Sequence, residues 1–404
     1  MISKTTQSLT KLLLRMSSLL SCVPWEDGGG ADKVMLVGRK SLLKFYFNSS
    51  VFIAYNIYVV FQFPATCKEK HSLAFLRGIM HFIGVSVIVL SSLVGCIQFM
   101  LSGDEIMGQF NDAFSYHQSF AAQFCRRDIL KSGGFNCGFE PWMKMFIYGS
   151  PITSLVGLPI FAMRIPDLKV FLSSMFLSYL NSGGFLANLL FLVLTGVHTW
   201  IYTCAVVMII NSSMLLIPQL CQMSVVLREI RPGNVSSKLT ISATRKPENA
   251  LKTLRVIQLL QQRLNNLTKG NTIPTTFTIN VIMVVCCNCT IIIMTHLTSF
   301  DIVTFLVTKI LVAATSLFCT IFLITASNIS AKILTEYTRA TRLWKNQRIS
   351  AHLKKMLKSA RPSGVKISKF FTVQRITTVQ IVMAILRYTG RLLIFFKKNG
   401  ANHG

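Results

Sequence analysis

Seven apolar stretches recur along the chain, and they constrain its fold more than any other feature. They occupy 44–64, 79–101, 145–163, 185–212, 273–299, 303–326 and 376–396. In a helix, about 20 apolar residues cover the roughly 30 Å of hydrocarbon in a bilayer. Since 51% of all residues are hydrophobic and only 14% are charged, the sequence predicts an all-α membrane protein with seven transmembrane helices.

Lysine and arginine are concentrated in alternate loops, which predicts how the helices are oriented. The amino-terminal segment and the loops 102–144, 213–272 and 327–375 hold 31 of the 42, and the loops on the opposite side hold 7. Loops rich in these residues stay in the cytosol. We therefore expect a cytosolic amino terminus and an extracellular carboxyl terminus. That orientation is the inverse of a G-protein-coupled receptor, so a metabotropic seven-helix receptor is a weaker alternative.

The net charge of +28 does not indicate nucleic-acid binding, because the basic residues lie in the loops between apolar stretches.

The predicted organisation of the chain follows from the spans. It comprises a cytosolic amino-terminal segment (1–43), a six-helix transmembrane region (44–326) with a long cytosolic loop (213–272), a basic cytosolic helical segment (327–375), a seventh helix (376–396) and an extracellular tail (397–404).

Local patterns predict three further features. Pro151 and Pro159 predict a kink in the third span rather than a break. The stretch "KLLLRMSSLLSC" at 11–22 predicts a short amphipathic helix at the membrane interface. Apolar residues at helical spacing predict a helix over 251–264, and they continue the helix of the sixth span over 333–357. Two interpretations of these loop helices remain open: they rest on anionic lipid, or they form a cytosolic bundle that holds subunits together.

The last span resembles the signature of the arthropod gustatory receptors. That signature is an apolar helix that opens with Phe, has a polar pair a few residues later, and ends in Thr-Tyr, five apolar residues and Gln-Phe. In "FTVQRITTVQIVMAILRYTGRLLIF" (371–395), the matching residues are Phe371, Gln374, Arg375, Tyr388 and Phe395. The sequence departs from the signature in three ways: Arg387 replaces the Thr, Gly390 and Arg391 interrupt the apolar stretch, and Ile394 replaces the Gln. The seven spans and their orientation also match this family and its odorant-receptor relatives.

The resemblance implies a ligand-gated cation channel, a multi-pass protein of the plasma membrane of a sensory neuron. Four identical or related subunits would each contribute the seventh, pore-type helix to a central pore, and a small extracellular tastant would open it. The tastant pocket would lie among the other helices. The cytosolic ends of the fourth to seventh helices, including 327–375, would anchor the subunits together. The alternatives are a non-conducting or modulatory subunit of the same family and an odorant receptor.

Two arginines lie in the seventh span, on the stripe that would line such a pore. The candidate pore-lining residues share one face of a helix; they are Met383, Leu386, Arg387, Gly390, Arg391 and Ile394. Rings of arginine favour anions and repel cations. Arg387 lies roughly 13 Å from the end of the span at 1.5 Å per residue, so we interpret it as meeting water inside the assembly, with snorkelling as the alternative. Arg391 is nearer the end of the span. We therefore interpret it as snorkelling to the membrane surface, with water inside the assembly as the alternative.

Lys309 is another charge inside a predicted span, and an ionisable group there is by default a candidate functional residue. Aromatic and polar residues lie in the outer halves of neighbouring spans, as an apolar pocket with a few polar groups requires. The candidate ligand-pocket residues are His81, Phe161, Phe191, His198, Trp200, Tyr202, Phe305 and Lys309. For any single aromatic residue, the alternative is packing in the core or against lipid.

Enzymatic function is not indicated, because the isolated histidines have no metal-ligand spacing and no Gly-rich phosphate-binding loop follows a strand. We therefore assign no catalytic residue. Cys286, Cys287 and Cys289 resemble a metal cluster, but they lie in an apolar stretch with no ligand-spaced partner. We interpret them as small buried side chains and expect no metal or cofactor.

Overall fold

The computed structural model describes most of the chain. The described residues are 4–27, 34–67, 72–128, 140–164, 171–176, 184–233, 239–268, 272–295, 302–360, 363–367 and 371–401. Within them, long helices pack side by side, and two short β-hairpins join the bundle at its edges.

Helices form most of the described structure. They are α1 (Lys4–Leu19), α2 (Arg39–Cys67), α3 (Ser72–Phe124), α4 (Glu140–Lys144), α5 (Ser150–Ile152), α6 (Leu158–Arg164), α7 (Phe185–Glu229), α8 (Pro247–Thr268), α9 (Thr272–Thr295), α10 (Ile302–Lys345), α11 (Ala351–Ser359) and α12 (Arg375–Ala401). Two 3₁₀ turns occupy Leu172–Phe176 and Ser242–Arg245. The antiparallel hairpins pair β1 (Trp25–Asp27) with β2 (Val34–Leu36) and β3 (Lys366–Ile367) with β4 (Phe371–Thr372). Within the described residues, the structure departs from the all-α prediction at these hairpins and at an isolated β-bridge between Cys125 and Thr240.

Each predicted span is helical wherever it is described. Segments 296–300 and 402–404 lie outside the described residues, and the predicted tail continues α12 as far as Ala401. By length and composition, Phe185–Asn211 and Val312–Lys345 are two described segments that could cross a membrane. The helix of the second span bends at Ser102, which has φ −134° and ψ 21°, one residue beyond the predicted end of that span.

The third span passes through both of its prolines without a break. Two π-helical turns, Met145–Gly149 and Thr153–Gly157, join α4, α5 and α6. Each turn contains the carbonyl that a proline four residues later leaves without its helical donor. The π turns, which the sequence analysis missed, therefore accommodate Pro151 and Pro159 within a continuous helical segment.

Helix α3 is central to the packing, since it contacts α2, α7 and α9. Helix α9 packs in addition against α10 and α12. Cys286, Cys287 and Cys289 are buried within α9, in agreement with the interpretation of the cysteines as small buried side chains. The hairpin β1–β2 is tied to α3 by Asn111, whose side-chain amide donates to the Val34 carbonyl and accepts from the Val34 N–H, both at 2.9 Å.

Extensions of α3, α7 and α10 beyond the predicted spans meet α8 and α11 around one apolar core. We call residues 103–128, 217–233, 239–268 and 327–360 the basic bundle. Its buried residues include Leu254, Ile257, Leu260 and Leu264 of α8 and Ile333, Tyr337, Ala340 and Trp344 of α10. The apolar faces of α8 and of the 333–344 part of α10 are thus covered by protein, which favours the helical-bundle interpretation over helices resting on lipid, although Met356 of α11 is 39% exposed.

Polar contacts fix the arrangement of the basic bundle. The Trp344 indole N–H donates to the Ile230 carbonyl at 2.9 Å, which ties the end of α10 to the end of α7. Arg231 forms a buried ion pair with Glu336. Burial raises the pKa of Tyr337 to about 12, and the nearby Arg255 partly offsets this increase. These contacts join residues that are far apart in the sequence, so sequence periodicity could not reveal them.

Two helix predictions need correction. The helix predicted to continue over 333–357 ends at Lys345, and α11 begins again at Ala351. Ser350 accepts a hydrogen bond from the Leu353 N–H at 3.3 Å, which caps the new helix. Helix α1 does not present its apolar face to lipid, because Leu9 and Leu13 are buried in a core with Met143 and Ile147.

Acidification is expected to destabilise the basic bundle through His117 on α3. The ring is 2% exposed, and neither ring nitrogen has a hydrogen-bond partner among the described residues. Burial lowers its pKa from 6.5 to about 3. Because the folded pKa lies below the unfolded value, stability is complete above pH 6.5 and is lost as the pH falls toward 3; at pH 5 the loss is about 2 kcal/mol. Thermal unfolding of the purified protein at pH 7.5 and pH 5.0 measures this loss of stability.

The matched controls are two single variants. His117→Gln should remove about 2 kcal/mol of the acid-induced loss, whereas His352→Gln, at an exposed position on α11, should leave that loss unchanged. An identical pH dependence for the native chain and His117→Gln would show that His117 does not contribute to acid sensitivity.

Candidate functional site

Helix α12, the candidate pore helix, is positioned by the hairpin that precedes it. The Val373 N–H donates to the Val365 carbonyl at 2.9 Å, and the Gln374 N–H donates to the Thr377 hydroxyl at 3.0 Å. A Cβ on Gly364 would lie only 2.8 Å from the Thr372 methyl group and 3.0 Å from the Leu334 Cβ. Glycine at 364 thus lets this hairpin approach α10 closely at the start of α12.

Asn265 of α8 connects this hairpin to the basic bundle. Its side-chain amide donates to the Gly364 carbonyl at 3.0 Å, and its carbonyl oxygen accepts from the Lys366 N–H at 3.1 Å. Gln261 donates to the same oxygen at 3.2 Å. A buried, two-way clamp of this kind holds the start of α12 in a fixed position relative to α8.

One face of α12 packs against the rest of the chain. Thr377 and Ile385 are buried there, 3% and 6% exposed respectively. The Ile385 side chain belongs to a core with Val284 and Cys289 of α9 and Leu323 of α10. The Thr378 hydroxyl also donates to the Asn328 side chain of α10 at 2.9 Å. These contacts fix which face of α12 is turned away from the chain.

The opposite face of α12 contains the candidate pore-lining residues. Met383, Leu386 and Ile394 are 60%, 62% and 70% exposed, and Arg387 and Arg391 are exposed as well. Gly390 is half-buried, and no atom lies within 4 Å of the position that a Cβ would take. The stripe defined from the sequence thus coincides with the face of α12 that this chain leaves uncovered. Tyr388, a signature residue, is also 53% exposed.

Among the ligand-pocket candidates, His198 and Tyr202 lie together in a packed aromatic cluster. Their ring centroids are 5.7 Å apart. The His198 ring also meets the Tyr55 ring of α2 at 5.4 Å and the Phe171 ring at 4.9 Å, both edge-on. Neither nitrogen of His198 has a hydrogen-bond partner among the described residues. We call these four residues the aromatic cluster; its unpaired imidazole is the polar group that a small ligand entering here would meet.

The other pocket candidates do not join this cluster through any described ring contact. Trp200 is half-buried against the same core as Tyr202, and Phe191 and Lys309 are half-buried on α7 and α10. The side chains of His81, Phe161, Phe305, Phe371 and Phe395 lie outside the described residues. Sequence analysis missed Tyr55 and Phe171, because no local pattern shows which residues of α2 and the 171–176 segment face α7.

Comparison with known proteins gives a result for structure but not for sequence. No protein-family model matches the chain, and no curated protein matches its sequence. The insect olfactory receptor OR5 from Machilis hrabei, solved in complex with eugenol, is similar with a TM-score of 0.65 at 10% identity over 97% of both chains. A second structure of that receptor gives a TM-score of 0.59 at 12% identity, over 95% of this chain and 96% of that one. Over almost its whole length, the chain has the fold of an insect olfactory receptor.

Proposed function

We propose that the chain is a subunit of a ligand-gated ion channel of the insect chemoreceptor type, opened by a small extracellular molecule. The observation that carries this proposal is the uncovered face of α12, on which Arg387 and Arg391 are exposed within the described part of the chain. A charge facing lipid costs several kcal/mol, whereas one that faces water or finds an oppositely charged or hydrogen-bonding partner on another subunit costs much less. The fold shared with the olfactory receptor structures supports the same conclusion.

In this proposal four subunits, identical or related, surround a central pore lined by α12. The basic bundle lies in the cytosol, because the loops that form it (102–144, 213–272 and 327–375) hold 25 of the 42 lysines and arginines. The bundle and the start of α12 are joined through Asn265, so assembly contacts made by the bundle would also position the pore helix. The protein would be a multi-pass protein of the plasma membrane.

Within the chemoreceptors, we propose the gustatory type, with a tastant as ligand. The support is the α12 signature, in which Phe371, Tyr388 and Phe395 stand at the spacing of the gustatory receptors. The ligand would enter near the aromatic cluster, since an apolar site with one unpaired polar group suits a small, weakly polar molecule. Lys309 of α10 is proposed as a second polar group of the ligand region.

The test combines topology and current in one expression system. Epitope tags at the two termini of the full chain should show a carboxyl terminus labelled on intact cells and an amino terminus labelled only after permeabilisation. A panel of tastants, applied with and without related subunits, should evoke current without G-protein signalling. An amino terminus labelled on intact cells would contradict the orientation, and silence toward every tastant with every partner would contradict the channel assignment.

A second candidate function is a non-conducting or modulatory subunit of the same assembly. The specific observation that favours it is the pair of exposed arginines on α12, because rings of guanidinium groups in a pore repel cations. The departures from the gustatory signature at Arg387 and Ile394 have the same implication. Substitution of these residues distinguishes the two functions.

A further inference from the structure

A cavity at the far end of the basic bundle brings together three arginines from separate parts of the chain. Its volume is about 650 Å³, and Arg126, Arg245 and Arg348 lie in its wall. Arg126 follows α3, Arg245 ends a 3₁₀ turn, and Arg348 lies between α10 and α11. Among the described residues that line the cavity, none is acidic. This convergence of positive charge is independent of the pore face and of the aromatic cluster.

The wall that holds Arg126 and Arg245 is built by backbone hydrogen bonds. The Arg126 N–H donates to the Leu239 carbonyl at 3.1 Å, and the Ile241 N–H donates to the Phe124 carbonyl at 2.9 Å. The Thr244 N–H donates to the Ile241 carbonyl at 3.2 Å. The cavity therefore has a fixed backbone frame, which reduces the entropy lost when a ligand binds.

The three guanidinium groups are not neutralised by carboxylates. Within the described chain, no ion pair involves Arg126, Arg245 or Arg348. Arg245 donates to the Thr240 hydroxyl at 3.2 Å, and that hydroxyl donates in turn to the Glu229 carboxylate at 3.0 Å, so a carboxylate reaches Arg245 only through this hydroxyl. Like charges that converge on one cavity repel each other, and an anion bound between them removes that repulsion while it gains charge-assisted hydrogen bonds.

We infer that this cavity binds a soluble organic anion that carries several phosphate groups. Three arginines suit a ligand with several charges, since guanidinium groups match phosphate geometry. The remaining wall includes Pro232, Pro247 and Ile349, which form an apolar surface for the carbon ring of such a molecule. The volume lies within the roughly 300–1,000 Å³ that small-molecule sites occupy.

The distance to the membrane favours a soluble anion over a lipid headgroup. Trp344 lines the cavity, and α10 extends about 27 Å from the predicted end of its span at 326 to this residue, at 1.5 Å per residue. A headgroup in the bilayer surface would not reach that far. In the proposed orientation the basic bundle lies in the cytosol, so the ligand would act from there. The inference rests on the proposed function only for the placement of the cavity in the cytosol.

The experiment measures binding to the purified, detergent-solubilised full chain by isothermal titration calorimetry. The probes are inositol hexakisphosphate and ATP, with sodium sulfate as the competing simple anion. We expect saturable binding of at least one probe that persists in sulfate. The double variant Arg245→Gln with Arg348→Gln should weaken binding about 100-fold, roughly tenfold for each charge-assisted hydrogen bond that a substitution removes.

The matched control removes the same charge from another cavity of the basic bundle. Arg339→Gln with Arg342→Gln alters a cavity of about 610 Å³ and should change the affinity by less than about threefold. Equal weakening by both double variants would overturn the proposal in favour of general charge attraction. The absence of saturable binding to either probe would overturn it, as would binding only to vesicles that contain phosphoinositide. Because no current is measured, these outcomes are separable from failure of the channel assignment.

Discussion

Replacing Arg387 with threonine should raise the permeability of the assembled channel to cations by roughly ten- to a hundredfold. In a tetramer this substitution removes a ring of four charges from the uncovered face of α12. At about 6 Å in water each charge costs a passing cation about 0.7 kcal/mol, so the ring costs about 3 kcal/mol before salt screening reduces it. The measurement is the current and reversal potential under bi-ionic conditions, with the most effective tastant of the panel.

The controls separate a pore charge from a general effect of surface charge. Arg391→Thr should have a smaller effect, because this residue is nearer the end of the span. Lys355→Thr removes an exposed charge on α11 and should leave the permeability ratio unchanged. An unchanged ratio in Arg387→Thr, with normal surface expression, would show that this side of α12 does not face the pore.

The same substitution distinguishes a channel from a modulatory subunit. Arg387→Thr combined with Ile394→Gln restores the Thr and the Gln of the gustatory signature. Current that appears only in the double variant indicates that the native chain is a non-conducting subunit. Current that is present in the native chain and lost in the double variant indicates that the arginine is part of a working, and unusual, permeation path.

Periodicity predicted those parts of the fold that depend on one helix at a time. The spacing of Leu254, Ile257, Leu260 and Leu264 predicted the buried face of α8, and all four side chains are buried. The same periodicity places the candidate pore-lining residues of α12 on one face, because successive residues of a helix are rotated by a fixed angle; that this face lines a pore stays a prediction. The positions of the prolines alone, however, did not reveal the π turns of the third span. Several local backbone geometries can accommodate a carbonyl that a proline leaves without its N–H donor.

The contacts that build the sites were beyond prediction because they join distant segments. His198 was chosen because it is a polar residue in the outer half of a predicted span. Its neighbours Tyr55 and Phe171 come from other parts of the chain. The hydrogen bonds of Asn265 to the hairpin before α12 likewise join residues that are far apart in the sequence. A single sequence shows which residues share one face of a helix. Which residues of other helices they contact depends on how the whole bundle packs.

Loss of the Glu336 carboxylate should destabilise the basic bundle by about 3–5 kcal/mol. Glu336 forms an ion pair with Arg231, and the two side chains are 12% and 11% exposed. Burial, together with the nearby Arg339 and Arg228, lowers the pKa of Arg231, and Glu229 partly offsets this decrease. In Glu336→Leu, Arg231 would therefore remain buried beside two like charges. Thermal unfolding of the detergent-solubilised protein, followed by size-exclusion chromatography, measures the loss.

Two further variants show whether that loss arises from the uncompensated charge. Arg231→Met with Glu336→Leu removes both charges and should restore most of the stability, because a buried ion pair can be replaced by apolar side chains at little cost. Arg263 and Asp112 form an ion pair whose side chains are 49% and 55% exposed, so Asp112→Asn should cost less than about 1 kcal/mol. Similar losses in Glu336→Leu and in the double variant would mean that the pair itself, rather than an unpaired buried charge, determines the stability. Recovery in the double variant would show that the loss in Glu336→Leu comes from the buried Arg231 charge that is left without its partner.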